Sequence, residues 1–408
     1  MLIEETRRND KRARAAHPAP HAGAATRRVS VLHLIHTMAY GGVETAVLNW
    51  LTNFDSERFD VRVACFANPG ATESPFVEAA ERRGLRVWRI PWGRRKPIIK
   101  AGRALAALLR DQRVDILHTH NWYADFVGAL AARLAPVKTI TTLYVWFDYD
   151  WKRNLLQALD RRVIKRFDLV TAHCEDTRRK TIAGGYPAER LRVLNCGFTA
   201  LRADLTPAER LSLRREMGVG DDEIVLANIA RLYPEKAQAS LLRCFKEIHQ
   251  RAPRTRLWIA GVGPLEAELK RACAALGLDG AVGFLGFVDD LPRLLALVDI
   301  QVHPALIEGI PLAICAGMAA GLPIVASAVG GLPEILAGGR CGRLVPGGDE
   351  NAFVDAVLRL IAAPEEAAQL GHAARQMIET DFSLKAAVRR VEETYLEVIG
   401  PCASVSSS

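Results

Sequence analysis

Residues 300–327 read IQVHPALIEGIPLAICAGMAAGLPIVAS. Glu308 is the one charge among them, and the next is Glu334. An uncharged run of this length is first of all a candidate membrane span. Pro311 and Pro323 punctuate it, as do Gly317 and Gly321, with Gly330 and Gly331 just beyond. Breaks that bracket both ends do not suit a lipid-spanning helix. The stretch divides instead into a strand Ile300–His303, a loop, a buried helix Leu312–Ala320 and a buried strand Ile324–Ser327. Apolar strands around an apolar helix belong to a parallel sheet covered on both faces.

The same alternation extends outward. Towards the N-terminus, strands are predicted at Val29–His36, Asp60–Phe66, Leu85–Ile90, Ile116–His120, Lys138–Leu143, Leu169–His173 and Arg192–Leu194. Helices are predicted between them at Gly42–Leu51, Pro75–Arg83, Lys100–Gln112, Asp125–Leu134 and Trp151–Arg166. Thr199–Ala208 is a polar, proline-containing join, after which the pattern restarts with the strand Glu223–Ile229. The fold class is therefore α/β: two Rossmann-like, doubly wound parallel-sheet domains facing a cleft. The boundaries are 1–28 for a disordered basic tail, 29–200 and 201–380 for the two domains, 381–399 for a C-terminal helix and 400–408 for a disordered tail.

The 408 residues suit two cores better than one. The formal net charge is +8, but the first 28 residues hold seven Lys/Arg against three acids, half of that excess. The body is too evenly charged for a nucleic-acid binder. The N-terminal segment lacks the apolar core of a signal peptide. None of the eight cysteines forms a C-x-x-C pair, so they read as reduced core residues of a cytoplasmic protein, with no zinc site and no disulfide framework.

Ligands of parallel sheets sit at the carboxyl ends of the strands. Five loops there carry chemistry. Gly41 and Gly42 open a helix where backbone can approach an anion. Arg231 and Lys236, in ARLYPEKA (230–237), place two cations where the charge of a departing diphosphate would grow. Gly261 and Gly263 nearly imitate a dinucleotide fingerprint, but Glu266 replaces its third glycine, which argues against an oxidoreductase. Glu308, followed by Gly309, Ile310, Pro311 and Leu312, joins a carboxylate for sugar hydroxyls to a helix start whose N–H groups can hold phosphate, with Gly330 and Gly331 in a second loop near by. His118 and His120 share one face of their strand.

These motifs, with DILHTH (115–120), LWIAGVG (257–263), FLGFVDD (284–290) and GLPIVA (321–326), resemble the retaining glycosyltransferases of family 4, whose fold is called GT-B, over residues 29–398. The resemblance implies an enzyme that moves a sugar from a nucleotide donor, UDP- or GDP-linked, to an acceptor hydroxyl with retention. It implies no metal and no bound cofactor. On it, Arg231 and Lys236 hold the diphosphate, Glu308 the donor sugar, and the loop with Phe287 the base. Gly41, Gly42, Gly309–Leu312 and the Gly261/Gly263 and Gly330/Gly331 loops line the donor, with His120 near the reacting centre. The implied partners are a nucleotide-sugar donor and a glycan or lipid-linked acceptor of cell-surface polysaccharide or glycolipid synthesis. A C-terminal helix returning to the first domain is implied as well.

Three positions depart from the family pattern. Ala316 stands where a second glutamate holds ribose hydroxyls, a loss of about 1.5–3 kcal/mol. Tyr144 stands where a histidine follows the strand, and Ala237 where a glycine follows the lysine. A weakly active relative serving as a binding partner, and a nucleotide-sugar epimerase, are the alternatives. Two aromatic–basic stretches, Trp88–Lys96 and Trp146–Arg166, suit peripheral contact with an anionic membrane face.

Overall fold

The chain is described from a computed structural model over residues 27–36, 41–67, 74–93, 96–145, 151–199, 203 and 205–400. Most of the expected N-terminal tail, the end of the C-terminal tail, and residues 37–40 of the first motif lie outside these. The chain divides into two units. The first holds residues 1–172, 180–194 and 388–408; the second holds 173–179 and 195–387.

In the first unit a seven-stranded sheet runs β3-β2-β1-β4-β5-β6-β7, parallel throughout. Its strands are β1 (Val29–Ile35), β2 (Phe59–Ala67), β3 (Val87–Pro91), β4 (Ile116–His120), β5 (Lys138–Leu143), β6 (Leu169–Ala172) and β7 (Leu191–Val193). The crossovers include α1 (Gly42–Leu51), α2 (Pro75–Arg82), α3 (Ile98–Asp111), α4 (Trp122–Ala132), α5 (Trp151–Val163) and α6 (Glu175–Ala183), the last shared with the second unit. Leu34, Leu105, Leu117 and Val127 fill one face, and Ile35, Val47, Val63 and Phe76 the other.

The second unit opens with α7 (Pro207–Glu216) and has six parallel strands in the order β10-β9-β8-β11-β12-β13. They are β8 (Ile224–Ile229), β9 (Thr255–Ala260), β10 (Val282–Gly286), β11 (Ile300–His303), β12 (Ile324–Ser327) and β13 (Arg343–Val345). Between and after them come α8 (Gln238–Arg251), α9 (Glu266–Ala275), α10 (Leu291–Ala296), α11 (Leu312–Ala320), α12 (Leu332–Ile335), α13 (Glu350–Ala362) and α14 (Pro364–Thr380). The final helix, α15 (Leu384–Ile399), begins in the second unit, where Leu384 N–H bonds Phe198 O at 3.0 Å, and from Val388 onward belongs to the first.

Residues 300–327 form strand, buried helix and strand as their pattern predicts, and among the described residues no helix is long and apolar enough to cross a membrane. Two helices are absent from the sequence reading, because their inner faces are polar. In α6 the buried residues Thr177 and Thr181 face inward. In α7 the buried side chain is Arg214, bonded to Leu297 O and to Asp299 at 2.9 Å each. Neither presents the apolar stripe that marks a helix. The start of α7 is held by a reciprocal cap between Thr206 and Glu209.

Of the two aromatic–basic stretches, the first is corrected. Trp88 and Trp92 are buried against Phe66 and Ile90, so this is core and offers no aromatic surface.

Candidate functional site

In the second unit the strand order reverses between β8 and β11. At such a point adjacent loops diverge and leave room for a ligand. The loop after β8 closes in a short turn, Pro234–Lys236, and Leu306 N–H ties it to the loop after β11 through Glu235 O at 2.9 Å. This brings Lys236 Nζ onto the carboxylate of Glu308, whose Oε1 also accepts from His303 Nε2 at 2.8 Å. All three side chains are largely buried. Burial pushes the Glu308 carboxyl up, but His303 and Lys236 more than offset this and hold it at about 2. Glu308 is thus a fixed anion at neutral pH, balanced by a lysine.

His303 is the site residue the sequence reading missed. It ends β11 five residues before Glu308, and its Nδ1 is buried with no hydrogen-bond partner. A lone histidine at a strand end looks structural; the signal was its position beside the glutamate loop. Arg231, read together with Lys236, lies apart from this trio. It is exposed, 4.7 Å over the Tyr233 ring and 3.7 Å from Glu235.

The glycines near by serve close approach between loops. A Cβ on Gly330, which has φ +56°, would meet Glu308 O at 1.9 Å, and Gly331 N–H bonds Gly309 O at 2.9 Å. A Cβ on Gly261 would meet Ala230 O at 1.9 Å, and one on Gly263 would meet Leu232 O at 2.3 Å. The loop carrying Glu308 and the loop carrying Arg231 are each seated on a neighbouring glycine loop. Ile310, Pro311 and Leu312 lead into α11, with Pro311 as a cap that offers no side-chain acceptor. Phe287 stands exposed after β10. Ala316 is buried against Ala227, Trp258 and Leu294. Ala237 adopts φ +55°, ψ +34°, a left-handed conformation, which is the reason a glycine suits that position.

In the first unit, Gly41 caps α1 and its N–H bonds the Glu44 carboxylate at 3.0 Å; Gly42 is exposed beside it. His120 lies at the carboxyl end of β4, fully buried, within a continuous hydrogen-bonded chain. Tyr144 Oη is 2.9 Å from His120 Nδ1, and His120 Nε2 is 2.9 Å from His33 Nδ1. His33 Nε2 is 2.9 Å from Tyr395 Oη, which lies 2.8 Å from His118 Nδ1. His118 Nε2 is 2.7 Å from Thr142 Oγ1. Burial pushes all three imidazoles down, His33 to about 3, so they are neutral. His120 is itself closed off from solvent, and its outward neighbour in the chain is the partly buried Tyr144. The three histidines are close enough to share a metal ion, but every ring nitrogen already has a protein partner and the His120 ring stacks on both others. A hydrogen-bonded relay accounts for this better than a metal centre does.

Residues 41–197 match the family described as "Glycosyl transferase 4-like domain", and residues 223–363 match "Glycosyl transferases group 1". The chain is 29% identical over 321 residues to the GDP-mannose-dependent alpha-(1-6)-phosphatidylinositol monomannoside mannosyltransferase of Mycolicibacterium smegmatis, covering 75% of this chain and 82% of that protein. It is 29% identical over 304 residues to the amylovoran biosynthesis glycosyltransferase AmsK of Erwinia amylovora, covering 71% and 72%. Among solved structures, Anabaena HepE in complex with UDP-glucose superposes with a TM-score of 0.79 at 22% identity, over 91% of this chain and all of that one. With a group 1 match on its second unit, a 4-like match on its first and two parallel Rossmann-like sheets, the chain belongs to the family-4-type glycosyltransferases of GT-B fold.

Proposed function

We propose that this enzyme transfers a hexose from a UDP- or GDP-sugar to a hydroxyl of a glycan or lipid-linked acceptor, with retention and without a metal ion. The setting is cell-surface polysaccharide or glycolipid synthesis in the cytoplasm, with peripheral contact at the inner face of the plasma membrane. The observation that carries this is the Lys236–Glu308–His303 cluster at the strand-order reversal. The names of the two relatives, a mannosyltransferase and an amylovoran glycosyltransferase, agree with it.

In this reading Lys236 and the first N–H groups of α11 receive the donor diphosphate, with Arg231 at the rim. They stabilise the charge that grows as the sugar–phosphate bond breaks. Glu308, anionic and oriented by His303, accepts hydrogen bonds from the donor sugar. The departing phosphate takes the proton of the acceptor hydroxyl on the same face, so the product keeps its anomeric configuration.

The test is a panel of UDP-, GDP- and ADP-sugars, followed by thermal shift and by donor hydrolysis with and without EDTA. Stabilisation by one nucleotide class with EDTA-insensitive turnover supports the reading. Binding without turnover, even with acceptor lipid extracts, favours an inactive relative. No binding by any nucleotide overturns the donor site.

A further inference from the structure

The second aromatic–basic stretch contains α5, and here the outward face is not core. Trp151, Leu155 and Leu159 follow at intervals of four residues and are 71%, 53% and 40% exposed. That spacing lines them along one side of the helix. Single exposed leucines are ordinary, but an aligned row ending in a tryptophan is not. Arg161, Arg162, Lys165 and Arg166, at the end of α5 and in the turn after it, are exposed as well.

The helix holds one acid, Asp160, and it faces inward. It is fully buried near the Asp125 carboxylate; burial and that neighbouring charge push its own carboxyl up. The next acid in the chain, Asp168, is occupied by Lys138 and by the Thr139 N–H and hydroxyl. Between Trp151 and Arg166, then, no carboxylate faces outward. The acids just before the helix, Asp148 and Asp150, lie outside the described residues. An apolar row bordered by cations, on a helix with no outward carboxylate of its own, complements a surface with an apolar interior and an anionic skin.

We propose that this face of α5 docks on an anionic lipid bilayer, Trp151, Leu155 and Leu159 entering the headgroup boundary and the four cations meeting lipid phosphates. The inference rests on the membrane contact proposed above and gives it a surface. Docking would bring the first unit to the lipids that carry a lipid-linked acceptor.

Flotation of the full chain with vesicles tests it, using phosphatidylcholine alone and phosphatidylcholine mixed with phosphatidylglycerol. The wild type should float with the mixed vesicles and lose that binding as salt rises. Leu155→Asp/Leu159→Asp should lower the bound fraction ~tenfold or more while donor hydrolysis in solution is unchanged. Arg161→Gln/Arg162→Gln should weaken binding and flatten its salt dependence. Three results overturn the proposal: no flotation by the wild type, binding that survives the double aspartate variant and so belongs to another basic segment, or a dimer that this variant abolishes in place of vesicle binding. A wild type that hydrolyses donor but does not float sinks only the docking surface; absent hydrolysis across the donor panel sinks the transferase reading and leaves the flotation result standing.

Discussion

The phenol of Tyr395 donates its hydrogen to Nδ1 of His118, and the direction of that bond follows from counting hydrogens. Thr171 Oγ1 donates to Thr141 O at 3.1 Å, so Thr142 must donate to Thr171, 2.7 Å away. Thr142 then has no hydrogen left for His118, and His118 must donate from Nε2. Being neutral, it accepts at Nδ1 from Tyr395; Tyr395 accepts from His33 Nε2, and His33 Nδ1 from His120 Nε2. His120 Nδ1 finally accepts from Tyr144. All three histidines are expected as Nε2–H tautomers. Long-range nitrogen–proton NMR correlations read this directly, and an Nδ1–H tautomer at any of the three would reverse the whole chain.

Lys236 and Glu308 form a buried ion pair, and removing one partner of such a pair strands the other charge. Lys236→Met should cost about 3–5 kcal/mol of stability and, on the proposed mechanism, about 10²–10³-fold in turnover. Glu308 has its folded pKa at about 2, below the ordinary 4.5. Its stabilising contribution is therefore present above pH 4.5 and lost as pH falls towards 2. Urea unfolding across that range should show an acid limb that Glu308→Gln flattens. An identical limb in the variant would mean that other carboxylates govern it.

Asp160 gives the opposite sign. Burial and the Asp125 charge raise its folded pKa to about 9, from an ordinary 3.8. Between those values the unfolded chain has lost a proton the folded chain keeps, so stability falls as pH rises. Asp160→Asn is neutral at every pH beside Asp125 and should raise Tm by at least ~2 °C near pH 8, with the gain vanishing towards pH 4. A gain independent of pH would point to packing instead.

Ala237 holds a left-handed conformation that an alanine side chain disfavours by about 1 kcal/mol. Ala237→Gly should raise Tm modestly and leave the neighbouring Lys236 in place, as judged by unchanged donor affinity. A fall in Tm would show that chain entropy outweighs the relief.

Ala316→Glu places a carboxylate among Ala227, Trp258 and Leu294. Without ligand it should lower stability by about 1–3 kcal/mol. If the ribose lies here, saturating nucleotide should recover more of that loss than it adds to the wild type. Equal thermal shifts in both proteins would remove the ribose from this position.

The sequence makes the sheets readable because their strands are apolar runs cut by glycine and proline, and the order of β1 to β13 follows from them. Glu308 and Lys236 are readable because each sits in a loop at the carboxyl end of a strand. What escapes is whatever depends on partners far away in the chain. Tyr395 lies 362 residues from His33, and nothing local marks it as the centre of a relay. The helices α6 and α7 escape for the opposite reason: their inward residues are threonines and an arginine, whose burial depends on partners that no periodicity records.

The fully buried Tyr395 has a consequence for how the protein is made. Its ring stacks on Phe54 at 5.7 Å and bonds His33 and His118, all supplied by the first third of the chain. A ribosome that has finished β7 has therefore delivered every strand of the first sheet but not the side chain that completes its interior. The N-terminal half must wait, partly assembled, through synthesis of the second unit. Long-range closure of this kind slows folding and prolongs exposure to aggregation. A nascent chain stopped before residue 395 is the form in which a chaperone would meet this enzyme.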